Sequence, residues 1–448
     1  MNLATSLEIV PKAIQSYVIG LQLNSIYNSV YFRSFGEASN KGNSNGITRR
    51  SAETTYDEWL TLCDRNLDNE LKSSRFTSLL SQYVNLLVEL RTTLRESGYP
   101  VYYYGWLFDS FVRNMMVFGS IEKDFDLTPF DTISVRGKTR LLHYKSINKN
   151  IESKDRREAR THSILIIYAP INRFHIMDIS QDRSVVKKLL SYGLDVYLLD
   201  WGYPGWEDSS LSLTDYVNYV KSAVDDIKNK TNTSKVSILG YCWGGIFALI
   251  YTALNNQNVR NLTLMAAPVD FSKDTTILAN WSRVVDSEKI VDEFGHLDGQ
   301  ALDIGFLMRN PPRFTFDKYL NLFKRYNDKD FIDEFISVEK WLYDTPIIPG
   351  NLYRQLINDC YKYNLLISNT MQVDGNTINL NKITTPLLTI IAKNDDLVSP
   401  ESTLAVINYV SSKEKDSLAI AGGHVGLCVS KMAHEKLWPE AANWILSN

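Results

Sequence analysis

Five short runs carry apolar residues on both faces of an extended chain: "SILIIYA", "LDVYLLD", "KVSIL", "NLTLM" and "PLLTII". They lie between about Phe130 and the C-terminus, with helical periodicity between them. Strands buried on both faces and joined by helices predict an α/β fold with a doubly wound, mostly parallel sheet. Between "NLTLM" and "PLLTII", residues about 269–381 contain no such run and are rich in aromatic and charged side chains. This predicts a helical cap inserted over the C-terminal edge of the strands, where sites in such sheets open. Ahead of residue 130 the pattern is helical. Val10, Ile14, Tyr17, Val18 and Leu21 form one stripe, and Phe76, Leu79, Leu80, Tyr83, Leu87, Leu90 and Leu94 form another, with a Gly/Asn/Ser-rich linker at about 36–50 between them. Docking on its own domain explains the first stripe more readily than a lipid or polymer anchor does, and helix packing explains the second without any cofactor. The expected organisation is a helical N-terminal extension over 1–129 and an α/β domain over 130–448.

Composition narrows the choice of function. Of 448 residues, 44% are hydrophobic and 22% charged, the balance of an ordinary soluble globular protein. A net charge of -3 gives no electrostatic reason to expect nucleic acid, and no zinc-type Cys/His spacing occurs, so neither a metal nor another cofactor is expected. The four cysteines, Cys63, Cys242, Cys360 and Cys428, are dispersed, which points to a reducing cytoplasm rather than a disulfide framework. The start "MNLATSLEIVPKAIQSYVIG" lacks the basic and apolar regions of a secretory signal, and no stretch is long enough to span a bilayer.

The chemistry concentrates in "SILGYCWGGIFALIY", Ser237 to Tyr251. A strand runs into Gly240-Tyr241-Cys242-Trp243-Gly244-Gly245 and a helical pattern follows. This is the setting of a nucleophile elbow, with cysteine in place of serine. Burial is the ordinary fate of a cysteine, but the flanking strand and helix favour the catalytic reading here. In this type of elbow fold an acid and then a histidine follow, each after a late strand. "KNDDLVSP" offers Asp395 and Asp396, and "GGHVGL" offers His424. The oxyanion donors would be the amide of Trp243 and, in "APINRFHIMD", an amide near Ile171; Asn172 and Arg173 are better suited to holding that loop.

The motifs "LIIYAPINRFHIMDISQDRSVVKKLLSYGLDVYLLDWGYP", "ILGYCWGGIFALIY", "APVDF", "VEKWLYDTP", "TIIAKNDDLVSP" and "AGGHVGLCVSKMA" together resemble those of polyhydroxyalkanoate synthases, most of all the class III catalytic subunit. The resemblance runs from about Asp131 to the C-terminus. It implies an α/β-hydrolase fold and polymerisation of (R)-3-hydroxyacyl-CoA, chiefly 3-hydroxybutyryl-CoA, into storage polyester with release of CoA. Carried over residue by residue, it implies Cys242 as nucleophile, Asp395 as acid and His424 as base. It also implies a homodimer at the surface of cytoplasmic polyester granules. Asp396 departs from the family, which usually has a histidine there. The extension is a second departure: "TYDEWLTLCDRNLDNELKSSRFTSLLSQYVNLLVELRTTLRESGYP" is similar to the C-terminal helical part of the separate class III activating subunit.

A thiol suits synthesis. Its acyl intermediate is a thioester, nearly isoenergetic with acyl-CoA, so it exchanges with the donor and passes downhill to a hydroxyl. A serine ester, by contrast, is routinely lost to water. An esterase, thioesterase or depolymerase of the same fold is the first rival, and Cys242 leans against it. A non-catalytic granule-binding module is the second, and a complete nucleophile, acid and base argue against that.

Overall fold

The computed structural model describes residues 125, 127–146, 162–309, 314, 318 and 328–448. Both helical stripes of the extension, the linker, Cys63 and the activator-like stretch lie outside these described residues. The sheet has eight strands: β1 (Phe130–Arg136), β2 (Thr139–Tyr144), β3 (Ser163–Ile167), β4 (Asp195–Asp200), β5 (Val236–Tyr241), β6 (Val259–Met265), β7 (Leu387–Ala392) and β8 (Lys415–Ile420). Their spatial order is β1-β2-β4-β3-β5-β6-β7-β8. The five runs singled out for their two-faced apolar pattern are β3 to β7, and the side chains of β3, β5 and β7 are all buried. From β3 to β8 the pairing is parallel, and β1 and β2 add an antiparallel hairpin on one edge. Gly137, at φ +58, makes the hairpin turn that a side chain would strain.

Helices cover both faces of the sheet because the strands need apolar partners on each side. Helix α1 (Val185–Ser191) follows β3, and α2 (Leu213–Thr231) follows β4. α2 starts at a reciprocal cap, in which Ser212 accepts from the amide of Asp215 and the Asp215 side chain accepts from the amide of Ser212. It buries Leu213, Tyr216, Val217, Val220, Ala223, Val224 and Ile227. α3 (Trp243–Leu254) is buried along nearly its whole length, packed among α2, β3, β5 and β6. The chain passes from β3 to β4 on one side, then crosses back to β5 on the other. Strand direction of progress therefore reverses beside β3, and the carboxyl ends of β3 and β5 flank this switch point, the place where sites in such sheets form.

Between β6 and β7 lie α4 (Ile277–Val284), α5 (Ser287–Phe294), α6 (Gly299–Met308), α7 (Lys329–Leu342) and α8 (Gly350–Gln355), which continues into a π-helical turn over Leu356–Lys362. The only ladders described there are two-residue pairs, His296–Leu297 with Ile348–Pro349 and Gln372–Val373 with Asn376–Thr377. Polar side chains start these helices: Thr276, Asp286, Asp298 and Asp328 each accept from an amide of the first turn. The C-terminal helix α9 (Trp438–Ser447) packs on α1.

Candidate active site

Cys242 stands between β5 and α3 with φ 53 and ψ -128, a backbone conformation that costs a non-glycine residue energy. The turn is held on both sides. The Cys242 amide donates to the carbonyl of Met265 at 3.0 Å, and the Gly245 amide donates to the Cys242 carbonyl at 2.9 Å. Gly244 allows α3 to press onto β3, since a Cβ there would lie 2.2 Å from the Ile167 carbonyl oxygen. Sharpness lifts the thiol out of the strand, and it is half-buried rather than sealed in. It sits over the N-terminus of α3, where the helix dipole favours a negative sulfur.

The loop after β7 is closed by its own acid. One oxygen of Asp395 accepts from the amides of Leu397 and Val398 at 2.9 and 3.0 Å, and the other accepts from Nδ1 of His424 at 2.8 Å. Both side chains are buried. With Nδ1 committed to Asp395, Nε2 is left to face the sulfur. Burial opposes a charge on the ring, but the Asp395 carboxylate and the hydrogen-bonded Cys242 together outweigh it and push His424 up to about 10. At neutral pH the ring therefore carries a proton opposite the nucleophile.

Asp396 points elsewhere, pairing with Arg309 at the end of α6 at 2.5 Å. The other five histidines have separate surroundings. His143 pairs with Asp195 at 2.7 Å, His162 with Ser237 at 3.0 Å and His434 with the Cys428 carbonyl at 2.7 Å. His175 stacks on Phe125 and His296 lies edge-on to Trp206.

On the oxyanion side, Trp243 opens α3, and its indole donates to the Tyr361 hydroxyl at 3.0 Å. Ile171 lies half-buried in the loop after β3, against the core. Arg173 fixes that loop to the sheet through the Gly202 carbonyl, Asp200 at 3.1 Å and the face of Tyr203. Asn172 fixes it to the insertion.

Tyr241 and Tyr361 were not singled out by sequence. Tyr241 stacks on the His424 ring at 4.9 Å and donates to the His424 carbonyl at 3.4 Å, so it supports the histidine from below. The signal was its place inside the elbow motif, between Gly240 and Cys242. Tyr361 gave none, because a π-helical turn sets its direction.

Residues 176–429 match the family model described as alpha/beta hydrolase fold. Several proteins named "Poly(3-hydroxyalkanoate) polymerase subunit PhaC" are similar to this chain. That of Allochromatium vinosum is 39% identical over 289 residues, 64% of this chain and 81% of its own. The chain belongs to the poly(3-hydroxyalkanoate) polymerase family. The polymerase subunit of Haloarcula marismortui is 36% identical over 324 residues, covering 72% of this chain and 68% of that one. That of Synechocystis sp. is 36% identical over 290 residues, covering 63% and 77%. Among the described residues of this polymerase family member, no group of three or more His, Cys, Asp and Glu could hold a metal ion, and no helix is long and apolar enough to cross a membrane.

Proposed function

We propose that this member of the poly(3-hydroxyalkanoate) polymerase family is an acyltransferase that joins (R)-3-hydroxyacyl units, chiefly 3-hydroxybutyryl, from their CoA thioesters through a covalent thioester on Cys242. The observation that carries this is the cysteine in a strained elbow opposite a histidine whose other nitrogen is held by a buried carboxylate. The Cys242 thiolate attacks the acyl-CoA carbonyl carbon, and the amides of Trp243 and Ile171 receive the negative oxygen. The carbon–sulfur bond to CoA breaks, and the departing thiolate takes the proton from Nε2 of His424. The acyl group is now on Cys242 and the ring is neutral.

Acylation also changes the histidine. Two of the four influences that hold its proton, the charge of Cys242 and the hydrogen bond to it, vanish once the sulfur is esterified, leaving those of Asp395. The neutral ring, no longer tied to a thiolate but still oriented by Asp395, can then accept the proton of a 3-hydroxyl. The alkoxide attacks the thioester carbonyl, the carbon–sulfur bond to Cys242 breaks, and the thiolate–imidazolium pair returns. Every step uses acid–base and acyl-transfer chemistry that the side chains supply, so no cofactor is needed.

The same reading extends to a homodimer acting at the surface of polyester granules in the cytoplasm, with class III character and an extension that serves as, or beside, an activating subunit. The deciding experiment incubates the full chain with (R)-3-hydroxybutyryl-CoA, follows CoA release and identifies the product. Insoluble polyester, lost in Cys242→Ala, is expected. Free 3-hydroxybutyrate would replace the synthase with a hydrolase. Adding an activating subunit to the same assay tests whether the extension suffices alone.

A further inference from the structure

Asn172 and Arg173 are neighbours in the chain, yet they are tied to different parts of the fold. Arg173 is held by the sheet side, through Asp200, the Gly202 carbonyl and the Tyr203 ring. Asn172 is held by the insertion. Its Nδ2 lies 2.8 Å from the Leu342 carbonyl, 3.3 Å from the Trp341 carbonyl and 2.5 Å from Oγ1 of Thr345. The Thr345 hydroxyl donates onward to Asp303 on α6 at 2.6 Å, so the amide, the hydroxyl and the carboxyl form one directed chain. A further bond runs back from the insertion, as the Trp341 indole donates to the Arg173 carbonyl at 2.7 Å. Asn172 is buried, and its backbone is left-handed at φ 59, so the loop turns sharply at this residue.

The residue before this turn is Ile171. Because Arg173 is anchored on the sheet and Asn172 on the insertion, any outward movement of α6 and α7 pulls on the turn and re-aims the Ile171 amide. We infer that Asn172 is a positioning residue that couples closure of the helical insertion to assembly of the oxyanion site. The inference deepens the proposed function and rests on its assignment of the Ile171 amide as an oxyanion donor. A donor that is in place only when the insertion is closed makes acyl transfer wait until water is shut out, which a polymerase needs and a hydrolase does not.

Asn172→Gly in the full chain tests this, since glycine keeps the left-handed turn and removes the tether. With (R)-3-hydroxybutyryl-CoA, kcat is expected to fall on the order of a hundred-fold, the loss a misplacement of about 1 Å brings, while KM stays within about threefold. Alkylation of Cys242 by iodoacetamide should be as fast as in the wild type or faster, because the thiol and His424 are untouched. Thr345→Val should give a smaller loss, Thr345→Ser should restore activity, and Asn172→Gly combined with Thr345→Val should be no worse than Asn172→Gly alone. A kcat within about twofold of wild type, fully additive losses, or slowed alkylation would each overturn the coupling. Mass spectrometry of the wild type separates this from the reading beneath it. CoA release without an acyl group on Cys242 would remove the covalent mechanism and the inference together; an acylated Cys242 with an unimpaired Asn172→Gly would remove the inference alone.

Discussion

Asp396 meets Arg309 of the insertion at 2.5 Å, while its neighbour Asp395 meets His424. Two adjacent carboxylates thus divide the work: one orients the histidine and the other fastens the acid loop to α6. Asp395→Asn should lower kcat by about 10⁴, because the amide favours the wrong ring tautomer, whereas Asp396→Asn should cost less than about tenfold. Arg309→Ala has a distinct signature. A partly exposed pair is worth up to about 1 kcal/mol, enough to shift an open-to-closed ratio by up to about fivefold. The expected result is faster Cys242 alkylation and a shorter lag before CoA release, read by stopped-flow. Unchanged alkylation would mean the pair does not hold the insertion shut.

The proton on His424 links catalysis to stability. Its folded value, raised to about 10, lies above its ordinary 6.5, so the folded state binds this proton more tightly than the unfolded chain does. The stabilisation is full below about 6.5 and is lost as pH rises through about 10. Tm should therefore fall across that window. Asp395→Asn and Cys242→Ala each remove a partner that holds the proton, and each should flatten the fall. Parallel Tm curves for wild type and Asp395→Asn across pH 6.5 to 10 would show that the pair does not carry it.

The fold was legible where burial leaves a one-dimensional mark. β3 to β7 are apolar on both faces because helices cover both sides. β1 is half-exposed on the sheet edge and pairs with a bulge between Thr132 and Ser134, so its alternation is broken and the edge hairpin does not stand out. In the site, Cys242, Asp395 and His424 could be proposed because each follows a strand in a fixed chain order. Arg309, Asn172 and Tyr361 act across 87, 170 and 118 residues of separation, counted as 396 − 309, 342 − 172 and 361 − 243. Nothing in a local window encodes such pairings; they arise from how the insertion lies over the sheet.

Gly244 offers a test of the elbow's packing. A Cβ there would meet the backbone at the end of β3, the Ile167 carbonyl oxygen at 2.2 Å and the Tyr168 carbonyl carbon at 2.7 Å, and backbone held by a central strand cannot swing away. Gly244→Ala should destabilise by about 3 kcal/mol or more, the upper range for overpacking. Chemical denaturation would measure it. A loss under about 1 kcal/mol would show that α3 can withdraw from β3 at little cost.

Cys242 itself is where stability and activity conflict. At φ 53 and ψ -128 its Cβ is held in a region that glycine enters freely, with a cost of about 1–3 kcal/mol for other residues. Cys242→Ala removes the sulfur but keeps the Cβ, and so keeps the strain. Cys242→Gly removes both, and its greater freedom in the unfolded chain takes back about 0.5–1 kcal/mol. The glycine variant should thus be the more stable of two inactive proteins by about 1 kcal/mol, or about 2 °C in Tm for a chain of this size. Comparing the two variants with each other, and not with the wild type, cancels the loss of the sulfur opposite His424. Equal Tm values would mean that the turn relaxes around alanine, and that the elbow does not hold its nucleophile under strain.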